Sequence, residues 1–283
     1  MGIKYSGAAR TGTFDGSTRL SIVDGLKAAL ESAGWSVASG SSGDWKLNSG
    51  ITPSGHQIRI WLYDPGGTNQ CARARLMNVS ETIAPAQAVF LRAVSGRVYR
   101  WFANPYQFFV IAPGTVAAGS YLAAGIPWMP SFLSPAHVGW LACSAQSDTS
   151  TNDAHSFRAS NIAPYHDSVA VAAIYGSSGW GSTSFGSGAI TLAGWRLSGN
   201  NNTSMLRRWM DGSVPILDPL IGWGPTSIDD TARLIGQLWD AIIVEGNWPM
   251  DSVITFDGKQ WWCIYYPRTA GQLLTLAVLY PTT

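Results

Sequence analysis

The chain has 283 residues, of which 46% are hydrophobic and 12% are charged, with 18 Lys and Arg against 17 Asp and Glu. This length allows one large or two ordinary domains with a hydrophobic core. The charged fraction is about half of the usual share, so we expect partners to cover part of the surface. The net charge of +1 gives no overall attraction to nucleic acid or to an anionic membrane.

Cysteine spacing and the lack of long apolar runs indicate where the chain folds. Cys71, Cys143 and Cys263 lie far apart and form no C-x-x-C pair. We therefore expect reduced thiols, with no disulfide framework, metal or cofactor. The N-terminal residues do not resemble a signal peptide, and no apolar run is long enough to span a bilayer. These features predict a protein folded in a cytoplasm without a membrane partner.

The first predicted elements in chain order are an extended segment and a helix. Residues 1–17 are rich in Gly, Ser and Thr, which predicts an extended arm or an edge strand. Apolar residues at helical spacing from Leu20 to Leu30 predict a helix that ends at Gly34. Residues 38–44 (ASGSSGD) then predict a loop between two strands.

Several strands are predicted next. Residues 71–77 alternate between small or apolar and basic side chains, and residues 88–94 and 96–103 are also typical of strands. The apolar run within residues 104–114, bounded by two prolines, predicts a buried strand. The Gly-, Pro- and Ala-rich residues 112–150 are interpreted as a long apolar crossing segment.

The middle of the chain is predicted to be rich in strands and loops. Residues 166–174 and 189–197 are predicted strands that flank a Gly/Ser loop at 176–188. The oxygen-rich residues 148–155 (DTSTNDAH) suggest a cation site, but they lack the spacing of an EF-hand loop. We therefore predict no metal there.

The C-terminal part is predicted to contain a second helix. Ile235, Leu238 and Ile242 recur at helical spacing, which predicts a helix over residues 228–243. Ser227 and Asp230 resemble a capping box at its start.

A hairpin follows that helix in the prediction. The dipeptide Asp257-Gly258 favours a type I′ turn between two strands, and residues 273–280 add a third strand. The order of helix, glycine and strands matches the N-terminal part. This order suggests a diverged duplication, although it is also common by chance.

These elements predict an α+β fold that is predominantly β. Two short helix-plus-antiparallel-sheet modules flank a loop-rich β middle region. The predicted domains are an extended arm at 1–17, a first module at 18–115, an inserted β-rich region at 116–225 and a helix-plus-hairpin module at 226–283 that packs with the first.

Catalytic motifs are missing from the sequence. No G-x-S-x-G elbow and no phosphate-binding loop occur, and no pair of carboxylates can be assigned to glycoside hydrolysis. We therefore predict no catalytic residue and no enzyme.

Two groups of side chains are candidates for contacts with partners. The first is a basic group: Arg73, Arg75, Arg92, Arg97 and Arg100. With the interleaved Tyr99, Trp101 and Phe102 it could bind nucleic acid by stacking. The preferred interpretation is a solvated or subunit-facing sheet surface, so nucleic acid is not an expected partner.

The second group is tryptophans in or beside the loops of the middle region: Trp128, Trp140, Trp180, Trp195, Trp209 and Trp223. Exposed aromatic rings hold sugars through the faces of the ring. Tryptophan is also enriched in protein interfaces and in loop-rich cores. Both interpretations remain open from the sequence.

Five segments resemble parts of virion structural proteins of tailed bacteriophages. They are residues 104–110 (NPYQFFV), 126–133 (IPWMPSFL), 218–224 (DPLIGWG), 236–241 (GQLWDA) and 255–262 (TFDGKQWW). The resemblance implies a non-enzymatic component of a tail, baseplate or neck, assembled in the host cytoplasm. It would pack with other virion proteins and with copies of itself in a ring.

Two alternatives belong to other functional classes. One is a receptor-binding, lectin-like protein whose tryptophan loops hold host surface polysaccharide. The other is a hydrolase of cell-wall or capsule sugar.

Overall fold

A computed structural model describes residues 3–82, 88–113, 121–129, 139–143, 171–176, 179–184, 189–193, 216–217, 220–224, 233–245, 248, 251–264 and 274–281. Within these ranges the fold has one helix and twenty strands, arranged in four antiparallel sheets. The predicted α+β, predominantly β class is confirmed.

The first two elements are β1 (Arg10–Asp15) and the helix α1 (Arg19–Ser32). Thr18 begins the helix with a capping box: its hydroxyl accepts from the Ser21 N–H at 3.0 Å, and the Ser21 hydroxyl accepts from the Thr18 N–H at 3.1 Å. The predicted helix is confirmed. The edge-strand interpretation of the N-terminal residues is also confirmed, because β1 ends its sheet and pairs only with β7 among the described strands.

The outer sheet follows α1 and has its five strands in sequence order. Its strands are β2 (Ser36–Ser41), β3 (Asp44–Asn48), β4 (Ile58–Tyr63), β5 (Cys71–Asn78) and β6 (Val89–Arg92). The loop predicted at 38–44 is shorter than expected, because most of it forms β2 and only Ser42 and Gly43 turn the chain.

The central sheet has the order β1-β7-β8-β9-β10-β11-β12. Its further strands are β7 (Val98–Asn104), β8 (Gln107–Ile111), β9 (Tyr121–Gly125), β10 (Trp140–Cys143), β11 (Val171–Gly176) and β12 (Gly179–Ser184). The buried strand predicted within 104–114 is confirmed as β8. The loop predicted at 176–188 is wrong in part, since it contains β12.

Two smaller sheets complete the described chain. The small sheet has the order β13-β15-β16, and the third sheet has the order β14-β17-β20-β19-β18. Their strands are β13 (Ala189–Ala193), β14 (Ile216–Leu217), β15 (Leu220–Gly224), β16 (Arg233–Gln237), β17 (Ala241–Glu245), β18 (Val253–Phe256), β19 (Lys259–Cys263) and β20 (Leu274–Tyr280).

The layers are stacked so that β8 and β9, in the middle of the central sheet, are buried on both faces. One face packs against α1 and the outer sheet through side chains such as Tyr99 and Phe108. The other face packs against the third sheet, where Phe109 shares a core with Ile243 and Trp262. Alternation along β7 and β8 sends neighbouring aromatic rings to opposite cores, which explains why β8 reads as a continuous apolar run.

The predicted helix over 228–243 is wrong from residue 233 onward, because this part of the chain forms β16 and β17. Ile242 and Val244 enter one core and Ile243 enters another, so β17 is apolar on both faces and imitates helical spacing. The predicted cap at Ser227 and Asp230 lies outside the described residues. Without this helix the comparison behind the suggested duplication fails.

The predicted C-terminal hairpin is confirmed by β18 and β19. Asp257 and Gly258 join these strands with φ values of 51° and 67°, the left-handed conformation that a type I′ turn requires at both central positions. The third predicted strand is β20, which pairs with β19.

Candidate functional site

The carboxylate of Asp240, in the turn between β16 and β17, is a buried polar group that joins distant parts of the chain. The side chain is 0% exposed, and the residue has a φ of 47°. Its Oδ1 accepts from the Ser6 N–H at 2.9 Å. Its Oδ2 accepts from the Ser6 hydroxyl and, at 2.8 Å, from Asn104 Nδ2. The Asp240 N–H donates to the Lys4 carbonyl at 2.7 Å. Asp240 thus joins the N-terminal residues to the β7–β8 turn.

All side-chain donors to this carboxylate are neutral. Within the described residues, no Lys, Arg or His lies at ion-pair distance from Asp240. Burial therefore raises the pKa of Asp240 above its ordinary value, while the bonds from Ser6 and Asn104 act in the opposite direction. A carboxylate closed off from solvent is suited to anchor a chain segment, not to meet a substrate.

A second set of buried hydrogen bonds lies beside Asp240. The Gln107 side chain donates to the Trp239 carbonyl and accepts from the Trp239 N–H at 3.1 Å. Trp239 Nε1 donates to the Ile126 carbonyl at 3.0 Å. The backbones of Trp128 and Gln237 exchange two hydrogen bonds at 2.8 and 2.9 Å.

This arrangement brings together three separate parts of the chain. They are the β7–β8 turn, the residues that follow β9, and the β16–β17 turn. The sequence analysis did not select Asp240, although a single carboxylate between apolar residues at 238–244 was a usable signal. What the cluster does is structural: it ties the N-terminal residues, the central sheet and the third sheet to one another.

The second candidate is the face of the outer sheet turned away from α1. Strand alternation places a set of basic and aromatic side chains there, which we call the cationic face. Its members are Lys46, Arg59, Arg73, Arg75 and Arg92, with Trp61, Tyr63 and Phe90.

Cations and rings interleave on the cationic face. The Trp61 and Tyr63 rings stack with centroids 4.6 Å apart. The Arg75 guanidinium lies 5.6 Å from the Trp61 centroid and 5.8 Å from that of Tyr63. Lys46 lies 5.7 Å from Trp61, and Arg73 lies 5.6 Å from Phe90. Such pairs hold cations in place without neutralising them.

Two carboxylates border this face. Glu81 contacts Arg59 and, at 3.0 Å, Lys46. These two cations hold the pKa of Glu81 below its ordinary value, the hydrogen bond from Lys46 being the largest cause. Asp44 accepts from Trp61 Nε1 at 2.6 Å. The sequence analysis did not select Lys46, Trp61 or Tyr63 as site residues, although the alternation in residues 58–63 carries the signal.

The five predicted arginines do not form one surface. Arg73, Arg75 and Arg92 lie on the cationic face. Arg97 lies at the start of β7, where it donates to the Arg92 carbonyl at 3.4 Å. Arg100 lies on the face of the central sheet that packs against the third sheet. Its Nη1 is 2.6 Å from Asp251, and its guanidinium is 5.3 Å from the Trp262 centroid.

The interleaved rings of β7 cannot stack on bases. Tyr99 and Phe102 are 0% exposed and Trp101 is 9% exposed, because all three belong to the cores on either side of the central sheet. That interpretation of the basic group is therefore corrected.

The structure does not gather the six predicted tryptophans into a platform. Trp140 is 1% exposed and packs in the core beside Phe109, so it is a core residue. Trp128 is partly buried, with the Lys4 ammonium 4.0 Å from its ring. Trp180 and Trp223 lie on β12 and β15, whose side chains are not described, and Trp195 and Trp209 lie outside the described residues.

Two sheet edges that pair with one described strand each are further candidates. All six residues of β2 (SVASGS) are exposed, and this strand ends the outer sheet. β18 (VITF) ends the third sheet, with Val253 45% and Phe256 36% exposed. Neither strand carries a charged residue or a proline.

Metal, thiol and membrane features add no further site in the described part of the chain. No group of His, Cys, Asp and Glu there could hold a metal ion, and the residues 148–155 lie outside it. Cys71, Cys143 and Cys263 are buried thiols. Among the described residues, no helix has the length and hydropathy that crossing a bilayer requires.

Comparison with known proteins finds no family model and no curated protein that matches this chain.

Proposed function

We propose that this chain is a non-enzymatic structural component of a tailed phage particle, in the tail, baseplate or neck. It acts by packing against copies of itself in a ring and against other virion proteins. The resemblance of five segments gives the setting, and the low charged fraction supports a surface that other subunits cover.

The observation that carries the proposal is the pair of open, uncharged edges at β2 and β18. Isolated proteins protect edge strands with charges, prolines or bulges, because unpaired N–H and C=O groups bind other strands. Neither edge has a charge or a proline, and of the two only β2 has a bulge, at the register shift between Val37 and Ser39. The end of β2 from Ser39 to Ser41 and the whole of β18 therefore lack these protections, which favours strand pairing between subunits.

The N-terminal residues are not assigned a contact with a neighbouring subunit, because residues 3–15 dock on their own chain through Asp240 and β7. The proposal therefore assigns the contacts between subunits to the two edges.

The mass of the purified protein in solution tests self-assembly. Two variants place a charge on β2 opposite a residue of opposite charge on β3: Ser39→Glu lies opposite Lys46, and Ser41→Lys lies opposite Asp44. Thr255→Lys places a charge on β18 opposite the uncharged Gln260, and Gln260→Lys, one strand inward, is the matched control. We expect oligomers for wild type and for the control, and monomers for the edge variants. A wild-type monomer at all concentrations contradicts self-assembly.

Labelling tests the setting independently of self-assembly. An antibody against the purified protein should label the tail region of tailed particles in negative-stain electron micrographs. Particles that carry no label contradict the assignment to the virion. The polysaccharide alternative stays a prediction, because the side chains of Trp180, Trp195, Trp209 and Trp223 lie outside the described part of the structure.

A further inference from the structure

We propose that the cationic face of the outer sheet is a docking site for an acidic segment of another protein, rich in Asp and Glu. The inference names the chemistry of a partner and deepens the proposed assembly role, on which it rests for its biological setting. The binding itself is a property of the isolated chain.

The first argument is the local balance of charge. The face carries five of the 18 basic residues of a nearly neutral protein. Among the described residues, the carboxylates that border it are those of Glu81 and Asp44, and both are engaged. Glu81 bridges Lys46 and Arg59, while Asp44 holds the Trp61 indole. A surface with this excess attracts anions locally although the whole chain does not.

The guanidiniums of Arg75 and Arg92 have N–H donors that no described carboxylate accepts. Arg75 is held over the Trp61 and Tyr63 rings, and its Nε is buried without a hydrogen-bond partner. Arg92 donates to the Gln70 side chain at 2.7 Å. Within the described chain, neither guanidinium has a carboxylate at ion-pair distance. The terminal nitrogens of a guanidinium present their N–H donors in one plane, a geometry that matches a carboxylate.

The aromatic rings of the cationic face favour a protein partner over a nucleic acid. Binding of single strands requires open ring faces on which bases stack. The faces of Trp61 are taken by Tyr63, Arg75 and Lys46. A half-buried set of Arg, Trp and Tyr with one Lys has instead the composition of a protein interface. The aromatic rings hold the cationic side chains in position, and these side chains contact the acidic segment of the partner.

The test is the binding of a fluorescently labelled oligoglutamate peptide, measured by anisotropy at low ionic strength. Arg75→Gln combined with Arg92→Gln should weaken binding by about tenfold or more, since charge-assisted hydrogen bonds are lost. Arg10→Gln, which removes an exposed charge on β1, is the matched control and should leave the affinity unchanged. Equal losses in the two variants would mean a general charge effect and would overturn the proposal.

A second variant gains binding and does not depend on a disturbed fold. Glu81→Gln removes an exposed carboxylate and releases Lys46 and Arg59, so the peptide should bind several-fold more tightly. Unchanged or weaker binding contradicts the assignment of this face.

A labelled oligothymidylate of the same length decides between the classes of partner. Weaker binding than the peptide supports the proposal. Tighter binding that also requires Arg75 and Arg92 overturns it in favour of nucleic acid. If the peptide binds but the antibody does not label phage particles, the proposed function is refuted and this inference is not. If the antibody labels the particles but the peptide does not bind, this inference is refuted and the proposed function is not.

Discussion

Ser6 donates two hydrogen bonds to the carboxylate of Asp240, one from its backbone N–H at 2.9 Å and one from its hydroxyl. The two residues are 234 positions apart in the sequence. This contact fixes the residues before β1 on the turn between β16 and β17. The N-terminal residues are therefore part of the folded body and not a free arm.

Ser6→Ala tests this contact. The substitution removes the hydroxyl donor and leaves a buried carboxylate with one bond fewer, so we expect the free energy of unfolding to fall by about 1–3 kcal/mol. Amide hydrogen exchange at residues 4–9 should become faster. Chemical denaturation and exchange monitored by NMR measure both effects.

Ser42→Ala is the control for that prediction. Ser42 also donates to an aspartate, Asp24, at 2.5 Å, but at an exposed position. We expect a change within about 0.5 kcal/mol. Equal losses for Ser6→Ala and Ser42→Ala would show that burial of Asp240 adds nothing.

Asp240→Asn tests the pH dependence that burial imposes. Burial raises the pKa of Asp240 in the folded state, so the folded protein holds this proton more tightly than the unfolded chain. The contribution of Asp240 to stability is therefore largest in acid and falls as the pH rises from about 4 through the folded-state pKa. Asparagine also tolerates the left-handed backbone at this position.

The comparison uses urea unfolding of both proteins from pH 4 to pH 8. Asp15, Asp24 and Glu81, whose pKa values are lowered, titrate in both proteins, so the difference isolates Asp240. The difference in unfolding free energy between wild type and Asp240→Asn should decline with rising pH. A difference that is constant over this range contradicts the prediction.

Tyr99→Phe tests a second buried group at alkaline pH. Burial raises the pKa of Tyr99 to about 12, and its hydroxyl donates to the Arg92 carbonyl at 2.8 Å. The neutral phenol stabilises the fold below pH 10, and this stabilisation is lost between pH 10 and 12. The pH-dependent part amounts to about 2–3 kcal/mol. Tyr5 and Cys263 titrate equally in both proteins, so the variant should lack only this component in urea unfolding.

Gly236→Ala tests the contact between the central sheet and β16. A Cβ at this position would collide with the Trp128 carbonyl oxygen and would lie 2.9 Å from Pro127 Cβ. We expect a loss of about 1–3 kcal/mol and faster exchange of the Trp128 and Gln237 amides, which bond to each other's carbonyls.

Gly258→Ala provides the comparison for Gly236→Ala. No atom lies within 4 Å of a Cβ there, but the φ of 67° is strained for alanine. The cost should be about 1–2 kcal/mol, with no effect on exchange at Trp128. Faster exchange there in both variants would show a global loss of stability and not a local collision.

Local patterns in the sequence were sufficient wherever one signal determined the structure. The apolar spacing from Leu20 to Leu30 predicted α1, and the Asp257-Gly258 turn predicted the hairpin. The buried strand β8 followed from its unbroken apolar run. Each of these elements is decided by its own residues, with little influence from distant ones.

The failures come from elements that distant residues decide. β17 is enclosed by two cores, so its side chains show no alternation, and the sequence alone could not tell a doubly buried strand from a helix. The same enclosure made Trp140 resemble a loop residue. The cationic face was found only in part, because β3, β4, β5 and β6 must pair before Lys46, Trp61 and Arg92 become neighbours.

The bond between Ser6 and Asp240 also sets an order of events during protein synthesis. β1 pairs with β7, so it stays unpaired until residue 104 has left the ribosome. Ser6 can form its hydrogen bonds only after Asp240, 234 residues further along the chain, has been synthesised. Residues 3–15 are translated long before β7 and the β16–β17 turn, so they can dock only late in synthesis and stay accessible to chaperones and proteases until then.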